Sequence, residues 1–173
     1  MAAAQRPTLE TGWSFKRTDE GNDSWAPVAR VPTAVHMDLL DNKKTYGTTD
    51  PFIHTNELDV EWIGKHSWTY QTTFTTPNIP EGASVYLLFD GLDTFANVRL
   101  TDVPILKSNN MFLSHRVPIT SMLYASGRNH LVIHFDSALL RGRDLVKEHP
   151  KHRFLAHNGK WELCLMTIGL YSL

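Results

Sequence analysis

Alternation of apolar and polar residues is the dominant pattern in the second half of the chain, and a period of two predicts strands with one buried face. In WTYQTTFT, residues 68–75, Trp68 and Tyr70 point to one face while threonine and glutamine point to the other. Segments 94–100 and 130–136 alternate in the same way. Their predicted inward-facing residues are Ala96, Val98, Leu100, Leu131, Ile133 and Phe135. Such half-buried strands are typical of an antiparallel sheet.

Proline, glycine and aspartate breaks divide the rest of the chain into short elements. Segment 84–90, SVYLLFD, is nearly all apolar, which predicts a strand covered on both faces. Segment 34–42, AVHMDLLDN, predicts a short helix. Segment 119–129 predicts about one helical turn, with Thr120 or Ser121 as its N-cap. Short strands separated by such breaks predict an all-β fold, a sandwich or a barrel, with one or two short helices.

The composition is that of an ordinary globular domain. A chain of 173 residues can bury a real core, and 42% hydrophobic and 20% charged residues are usual proportions. With 17 basic and 18 acidic residues and no basic stripe, neither nucleic acid nor an anionic membrane is an expected partner. The single cysteine, Cys164, excludes an internal disulfide, and no stretch has the apolar length of a signal peptide or membrane span. The sequence therefore predicts a cytoplasmic protein.

Three acids follow one another at a spacing of two: Glu57, Asp59 and Glu61. In an extended segment they would share one face at a separation of about 6.5 to 7 Å. A retaining glycosidase holds its two carboxyls about 5 to 5.5 Å apart, so this geometry leaves acid/base chemistry open. Functional groups usually converge from several elements, however, and these acids lie on one local segment. We therefore interpret them as a solvated acidic face and assign no catalytic residue.

Histidine spacing gives a weak metal-site pattern. His149 and His152 are three apart beside Glu148, with His157 a little further on, and zinc ligands do use spacings of three to five. Pro150 lies between the two histidines, and no cysteine pair or HExxH pattern supports them. An exposed charged turn is the expected structure, and neither a metal nor a cofactor is predicted.

The remaining polar and aromatic groups have structural interpretations. His36 and His134 alternate with apolar neighbours and are expected to be hydrogen-bonded structural groups. Cys164 lies in the apolar stretch ELCLMTIG, where burial would make its thiol inert. No nucleophile elbow or phosphate-binding loop is present. A polar turn is predicted at Arg141, Gly142, Arg143 and Asp144. The tryptophans are expected to anchor the core or an interface, with a sugar-stacking platform as the alternative: Trp13, Trp25, Trp62, Trp68 and Trp161.

Five segments occur in an order that is more specific than any one of them. They are VPTAVHMDLLDN, DPFIHTNELDVEWIGKHSWTYQTTF, FDGLDTFANVRL, NNMFLSHRV and FDSALLRGR. Together they resemble the N-terminal domain of the β-mannosidases of glycoside hydrolase family 2, from about Trp13 to about Gly159. The resemblance implies a jelly-roll β-sandwich of the galactose-binding-like type. We expect this sandwich over residues 13–173, after a flexible N-terminus at 1–12.

The resemblance also implies where the chemistry lies. In that family the N-terminal domain precedes a catalytic (β/α)₈ barrel, which holds both catalytic glutamates, and the whole enzyme is a retaining hydrolase of terminal β-mannosyl residues without a cofactor. Asn56-Glu57 matches the lead-in to the sandwich rather than the catalytic Asn-Glu pair. The barrel is therefore an expected partner, the chain alone is expected to be inactive, and the surface meant for the barrel is expected to promote self-association.

The sequence departs from the family pattern near residue 160. After an HNG like that at 157–159, the family continues through a tryptophan-rich stretch of the type HWGWDWGP before a strand ending like LMTxG. Here LMTIG at 165–169 follows almost directly, which indicates a truncated or alternatively joined segment. No contribution to a mannose site is therefore expected. The alternative function is a free-standing carbohydrate-binding module that binds mannosides weakly, because jelly rolls often present sugar sites.

Overall fold

Strands dominate the structure, a computed structural model that describes residues 8–43, 60–124, 127–149, 164–165 and 168–172. The strands are β1 (Ser14–Arg17), β2 (Ala26–Pro27), β3 (Thr33–Ala34), β4 (Trp68–Thr75), β5 (Val85–Phe89), β6 (Ala96–Leu100), β7 (Val103–Ser108), β8 (His115–Pro118), β9 (Arg128–Phe135), β10 (Cys164–Leu165) and β11 (Ile168–Ser172). The helices are α1 (Val35–Asp41) and α2 (Ala138–Glu148), and 3₁₀ turns cover Asn22–Ser24, Glu61–Lys65 and Thr120–Met122.

Two antiparallel sheets form the body of the fold. The larger has the strand order β2-β1-β4-β9-β6-β7, and the smaller has the order β11-β5-β8. A short ribbon pairs β10 with β3. The fold is thus an all-β jelly-roll sandwich, as the sequence predicts, and two helices with given bounds lie within the described residues.

The core lies between the sheets, where register aligns the inward faces of the strands. In the larger sheet Tyr70 of β4 is opposite Phe15 of β1 on one side and Ile133 of β9 on the other. The rings of Phe15 and Tyr70 stack with their centres 5.6 Å apart. The smaller sheet contributes the buried residues Val85, Leu87 and Phe89. Each such side chain stabilises the fold by about 1.5 to 3 kcal/mol on burial, so the alternation in the sequence accounts for most of the core.

The expectation for segment 84–90 is wrong in one respect. β5 alternates between buried and half-buried residues instead of being covered on both faces. On its outer face the guanidinium of Arg116 lies over Tyr86, 3.9 Å from the ring centre. Tyrosine tolerates this position because a cation over its ring face is attracted by the π electrons.

The polar turn expected at Arg141, Gly142, Arg143 and Asp144 is a further wrong prediction, because all four lie inside α2. The helix begins after Ser137, whose hydroxyl accepts a hydrogen bond from the backbone N–H of Leu140 at 3.1 Å. This N-cap satisfies one of the unpaired donors of the first turn, and the leucines, arginines and lysine that follow are good helix formers.

The helical turn expected after position 119 is present at Thr120–Met122, but its cap differs from the prediction. Ile119 precedes the turn and no side chain caps it. The hydroxyl of Thr120 instead accepts a hydrogen bond from the backbone N–H of Val85 at 2.8 Å. Thr120 therefore links the turn to the start of β5.

The segment after residue 160 contributes two described strands. β10 pairs with β3, and β11 pairs with β5 along its whole length. β11 thereby forms one edge of the smaller sheet. No helix in the described ranges is long and apolar enough to cross a membrane.

Candidate functional site

A cavity of about 360 Å³ opens at the end of the larger sheet where β4 begins. Its walls come from parts of the chain that are far apart in sequence: β1, the loop and 3₁₀ turn after it, α1, and the 3₁₀ turn before β4. The lining residues are Phe15, Lys16, Arg17, Glu20, Ser24, Leu39, Trp62 and Trp68. The cavity therefore combines an apolar floor with a charged rim.

The two tryptophans of the cavity differ in how their indole N–H groups are satisfied. Trp68 is 2% exposed, and its Nε1 donates to the carbonyl of Ile63 at 3.1 Å. Trp62 lies beside it, with ring centres 6.0 Å apart, and the ring of His66 lies edge-on to Trp62 at 5.9 Å between centres. Its own Nε1 is buried and has no hydrogen-bond partner among the residues that the structure describes. Buried donors are nearly always paired in native proteins, so Trp62 is an exception that requires a reason.

The charged rim is organised by β1 and the loop that follows it. Nε of Arg17 donates to the carboxylate of Asp19 at 2.6 Å and lies 3.8 Å from that of Glu20. The hydrogen bond from Arg17 lowers the pKa of Asp19. Nζ of Lys16 donates to the carbonyls of Glu20 and Gly21 at 3.0 and 3.2 Å, and it lies 5.1 Å from the ring centre of Trp25. The loop is thereby fixed over one side of the cavity.

Asp38 is a buried acid, 1% exposed, on the inward face of α1. Its two carboxylate oxygens accept hydrogen bonds from the hydroxyls of Tyr70 at 2.7 Å and Thr33 at 2.8 Å. Burial raises the pKa of Asp38 to about 6, although the two hydrogen bonds act in the opposite direction. The arrangement fastens α1 to β4 and β3. The sequence interpretation missed it, although an acid between Val35 and Leu39 on an apolar helix face was an available signal.

The three predicted acids are only partly described. Glu57 and Asp59 lie outside the described residues. Glu61 begins the 3₁₀ turn before β4, which corrects the extended conformation expected there. Its side chain is exposed and pairs with Lys65 at 3.3 Å, a contact typical of a solvated surface.

The histidines do not meet in the described part of the structure. Glu148 ends α2, and His149, which follows it, is exposed. His152 and His157 lie outside the described residues. Across the described ranges no three histidine, cysteine, aspartate or glutamate side chains are grouped as a metal would require.

His134 is held by hydrogen bonds on the outer face of the larger sheet. Its Nδ1 lies 3.2 Å from the hydroxyls of both Thr18 and Thr69, and its Nε2 lies 3.1 Å from the carboxylate of Asp136. These contacts join β1, β4 and β9 across the sheet. The expectation of a hydrogen-bonded structural histidine holds for His134, and His36 lies on α1.

Of the other tryptophans, Trp13 and Trp25 lie in the described part of the structure. Trp13 is buried, and its Nε1 donates to the carbonyl of Leu9 at 2.7 Å, so it anchors the start of the sandwich. Trp25 is half-buried under Lys16. Trp161 lies outside the described residues, and Cys164 is placed only by the backbone of β10.

Comparison with known proteins identifies the class. The family model described as "Glycosyl hydrolase 2 galactose-binding domain-like" matches residues 13–170. The chain therefore belongs to this family of galactose-binding-like domains of glycoside hydrolase family 2.

Curated relatives within this class are β-mannosidases. The chain is 48% identical to beta-mannosidase B of Aspergillus terreus and 49% identical to beta-mannosidase B of Emericella nidulans. In each case the match covers 99% of this chain and 22% of the relative. The chain thus spans about a fifth of the length of these relatives. The Aspergillus terreus alignment extends over 188 positions against a chain of 173 residues, so the relative contains residues within the match that have no counterpart here.

Solved structures agree with this placement. The beta-D-mannosidase of Dictyoglomus thermophilum superposes with a TM-score of 0.78 at 25% identity, over 96% of this chain and 22% of that one. An FMN-binding beta-glucuronidase of Facaelibacterium prausnitzii superposes with a TM-score of 0.66 at 17% identity, over 100% of this chain and 23% of that one. The second likeness shows the fold alone.

Proposed function

We propose that this chain is the N-terminal accessory sandwich of a β-mannosidase and that it hydrolyses no glycoside by itself. The observation that carries the proposal is the β-mannosidase B match over 99% of this chain and only 22% of the relative. In the whole protein the reaction would be retaining hydrolysis of terminal β-mannosyl residues. The catalytic glutamates would lie on a (β/α)₈ barrel, which needs about 250 residues of its own.

The acids of the described residues support an accessory role. Glycoside hydrolysis needs two carboxyls that face one sugar from separations of about 5 to 9.5 Å. Asp38 is the acid with a strongly raised pKa, but its carboxylate is buried and both oxygens are bonded to Tyr70 and Thr33. Glu61 is exposed and paired with Lys65. Both acids are therefore engaged in contacts within the chain.

We propose a single sandwich unit over residues 13–173. Residues before it are hydrogen-bonded to the body: the carbonyls of Leu9, Glu10 and Gly12 accept from Nε1 of Trp13, from the backbone N–H of Val31 at 2.8 Å and from the hydroxyl of Thr72 at 3.0 Å. These contacts speak against the flexibility expected at 1–12 for residues 9 to 12, and residues 1–7 lie outside the described residues.

We further propose that the barrel covers part of this surface in the longer protein. Phe112 is 84% exposed and Leu113 is 52% exposed in the loop between β7 and β8. A pair of large apolar side chains in water is typical of a surface that another domain covers. Without that domain we expect the chain to self-associate, and size-exclusion chromatography at increasing concentration tests this.

The direct test is an assay of the purified chain on an aryl β-mannoside. A full-length β-mannosidase B is the positive control, and heat-denatured chain is the background. We expect release of the aryl group equal to background. Release above background that saturates with substrate would contradict the accessory role.

The cavity beside Trp62 favours a second function, the binding of a carbohydrate without hydrolysis. Aromatic and charged groups line it together, which is the usual composition of a small-molecule site.

A further inference from the structure

The two outward faces of the sandwich differ in their chemistry. The larger sheet carries polar side chains that bond one another across strands, as between Nε2 of His130 and Oε1 of Gln71 at 3.0 Å. On the smaller sheet the outward residues of β5 are Tyr86 and Leu88, which alternate with buried residues and stay partly in water. Aromatic and aliphatic side chains that remain partly exposed on one face favour an interface at that face.

The outer face of the smaller sheet, which comprises Tyr86, Leu88, Asp90, Arg116 and Pro118, also carries two opposite charges. Arg116 is exposed and lies directly opposite Leu88 in the sheet. Asp90 is exposed two positions after Leu88, about 7 Å further along from the rise per residue of a strand. The guanidinium of Arg116 lies over the ring of Tyr86. Neither charge has an ion-pair partner among the described residues.

This arrangement of charges is complementary to itself. When two identical faces pack about a two-fold axis, residue i contacts residue j of the second copy and j contacts i. An axis that passes between Arg116 and Asp90 sets each arginine against the partner's Asp90 and brings the two Leu88 side chains together. Two ion pairs then flank an apolar centre. The formal net charge of the chain is -1, so overall repulsion between copies is small.

We propose that the outer face of the smaller sheet is the contact between two copies of this chain, with Arg116 paired to the partner's Asp90. The inference rests on the self-association expected above, which it assigns to one face, and it is independent of the absence of hydrolysis.

The size of the face sets the expected strength of the dimer. Three strands of five residues span about 14 by 17 Å, from the spacing and rise of strands. A stable interface buries about 800 Å² on each partner, which is more than this face alone provides. We therefore expect a weak dimer, with a Kd on the order of 100 μM.

Sedimentation of the whole chain at concentrations from about 10 to about 500 μM, on either side of this Kd, tests the proposal. Arg116→Glu and Asp90→Arg should each raise the Kd about tenfold or more, because each change turns two attractions into two repulsions. An equimolar mixture of the two variants should associate with a Kd within about threefold of the parent value. In the mixture one copy carries two acids and the other carries two arginines, so rescue requires the charges to meet between copies.

Two further variants are the controls. Arg128→Glu reverses an exposed arginine on β9 of the larger sheet and should leave the Kd unchanged. Phe112→Ser removes the exposed apolar side chain of the loop between β7 and β8, and the dimer should still form. Circular dichroism of each variant verifies that it is folded.

The outcomes separate this face from the proposals above. Association that both charge reversals leave unchanged would overturn the face but not self-association, and so would a mixture of folded variants that does not associate. Loss of association in Phe112→Ser would assign the contact to the loop instead. A parent chain that stays monomeric would overturn both the face and self-association. None of these results affects the accessory role, which fails only if the chain hydrolyses the aryl β-mannoside.

Discussion

The buried polar side chains near the two ends of β4 differ in their hydrogen bonding. At the Thr75 end, Asn129 is fully buried and uses its whole amide: Nδ2 donates to the carbonyl of Phe74 and the hydroxyl of Thr76, and Oδ1 accepts from the backbone N–H of Tyr124. At the Trp68 end, Trp62 keeps a buried donor unpaired beside a cavity. The buried amide at the first end is fully hydrogen-bonded within the protein, whereas the second end keeps a buried N–H without an acceptor among the described residues.

These polar groups flank the two ends of β4, and they differ in whether every buried donor has an acceptor. A closed network contributes to stability because every buried group has a partner, and removing one member leaves the others unsatisfied. A buried donor without an acceptor does not stabilise the fold. It lowers the free energy of unfolding unless a bound molecule supplies the acceptor. Substitutions at the Thr75 end should therefore affect folding, and those at Trp62 and Arg17 should affect binding.

The largest effect is expected from Asn129→Ala. This change removes three hydrogen bonds, which join the Asn129 side chain to the backbone N–H of Tyr124, the carbonyl of Phe74 and the hydroxyl of Thr76. We expect the free energy of unfolding to fall by about 4 kcal/mol, measured by urea denaturation. Asn78→Ala, at an exposed asparagine after β4, is the control and should change stability by less than about 0.5 kcal/mol. A loss below about 1 kcal/mol for Asn129→Ala would mean that this end is not a closed network.

The second effect is a pH dependence from Asp38. Its pKa is raised from 3.8 to about 6 in the folded state, so the folded protein binds the proton more tightly than the unfolded chain. This contribution to stability is present below pH 3.8 and is lost as the pH rises through about 6. The loss amounts to up to about 3 kcal/mol.

Asp38→Asn tests this sign, because the amide does not titrate and the contribution should vanish. Unfolding measured by urea between about pH 4 and pH 7 should show a smaller fall in stability for the variant than for the parent chain. Asp90→Asn, at an exposed position after β5, should follow the parent chain. Equal pH profiles for Asp38→Asn and the parent chain would contradict the raised pKa.

The smallest of the three effects compares the two tryptophans of the cavity. Trp68→Phe removes a hydrogen bond to Ile63 and opens a void in the core, so we expect a loss of about 2 kcal/mol in the free energy of unfolding. Trp62→Phe removes a donor without a partner and should change stability by less than about 0.5 kcal/mol. Thermal unfolding of the two variants, measured side by side, compares their losses of stability. A larger loss for Trp62→Phe would show that its indole N–H is satisfied in the folded protein.

The sequence predicts the strands well where packing repeats at every second residue. The inward faces of β4, β6 and β9 are the predicted ones, because a half-buried strand imposes a period of two on its own sequence. The sequence does not predict α2, because the polar residues from Arg141 to Asp144 are also typical of a turn. The N-cap at Ser137 is not recognised without the helix that follows it. The sequence does not predict the half-exposed face of β5, because Tyr86 and Leu88 are apolar enough to suggest burial on both faces.

The sequence does not predict the cavity either, and the reason is a different one. Arg17, Leu39 and Trp62 lie far apart in the sequence and meet only after β1, α1 and the turn before β4 have packed. Trp62 was recognised as part of a family motif, but the state of its N–H depends on what surrounds it. Asp38 was predictable in principle, because an acid on the apolar face of a short helix must find partners when it is buried.

The most direct test of the accessory role is a search for a covalent glycosyl intermediate. Retaining glycosidases form such an intermediate on their nucleophile, and a 2-deoxy-2-fluoro-mannosyl fluoride slows its hydrolysis. The chain is incubated with this reagent and its intact mass is measured, with a full-length β-mannosidase B as positive control. The account predicts an unchanged mass for this chain and a labelled control. A mass increase of one fluoromannosyl group on a carboxylate of this chain would contradict it.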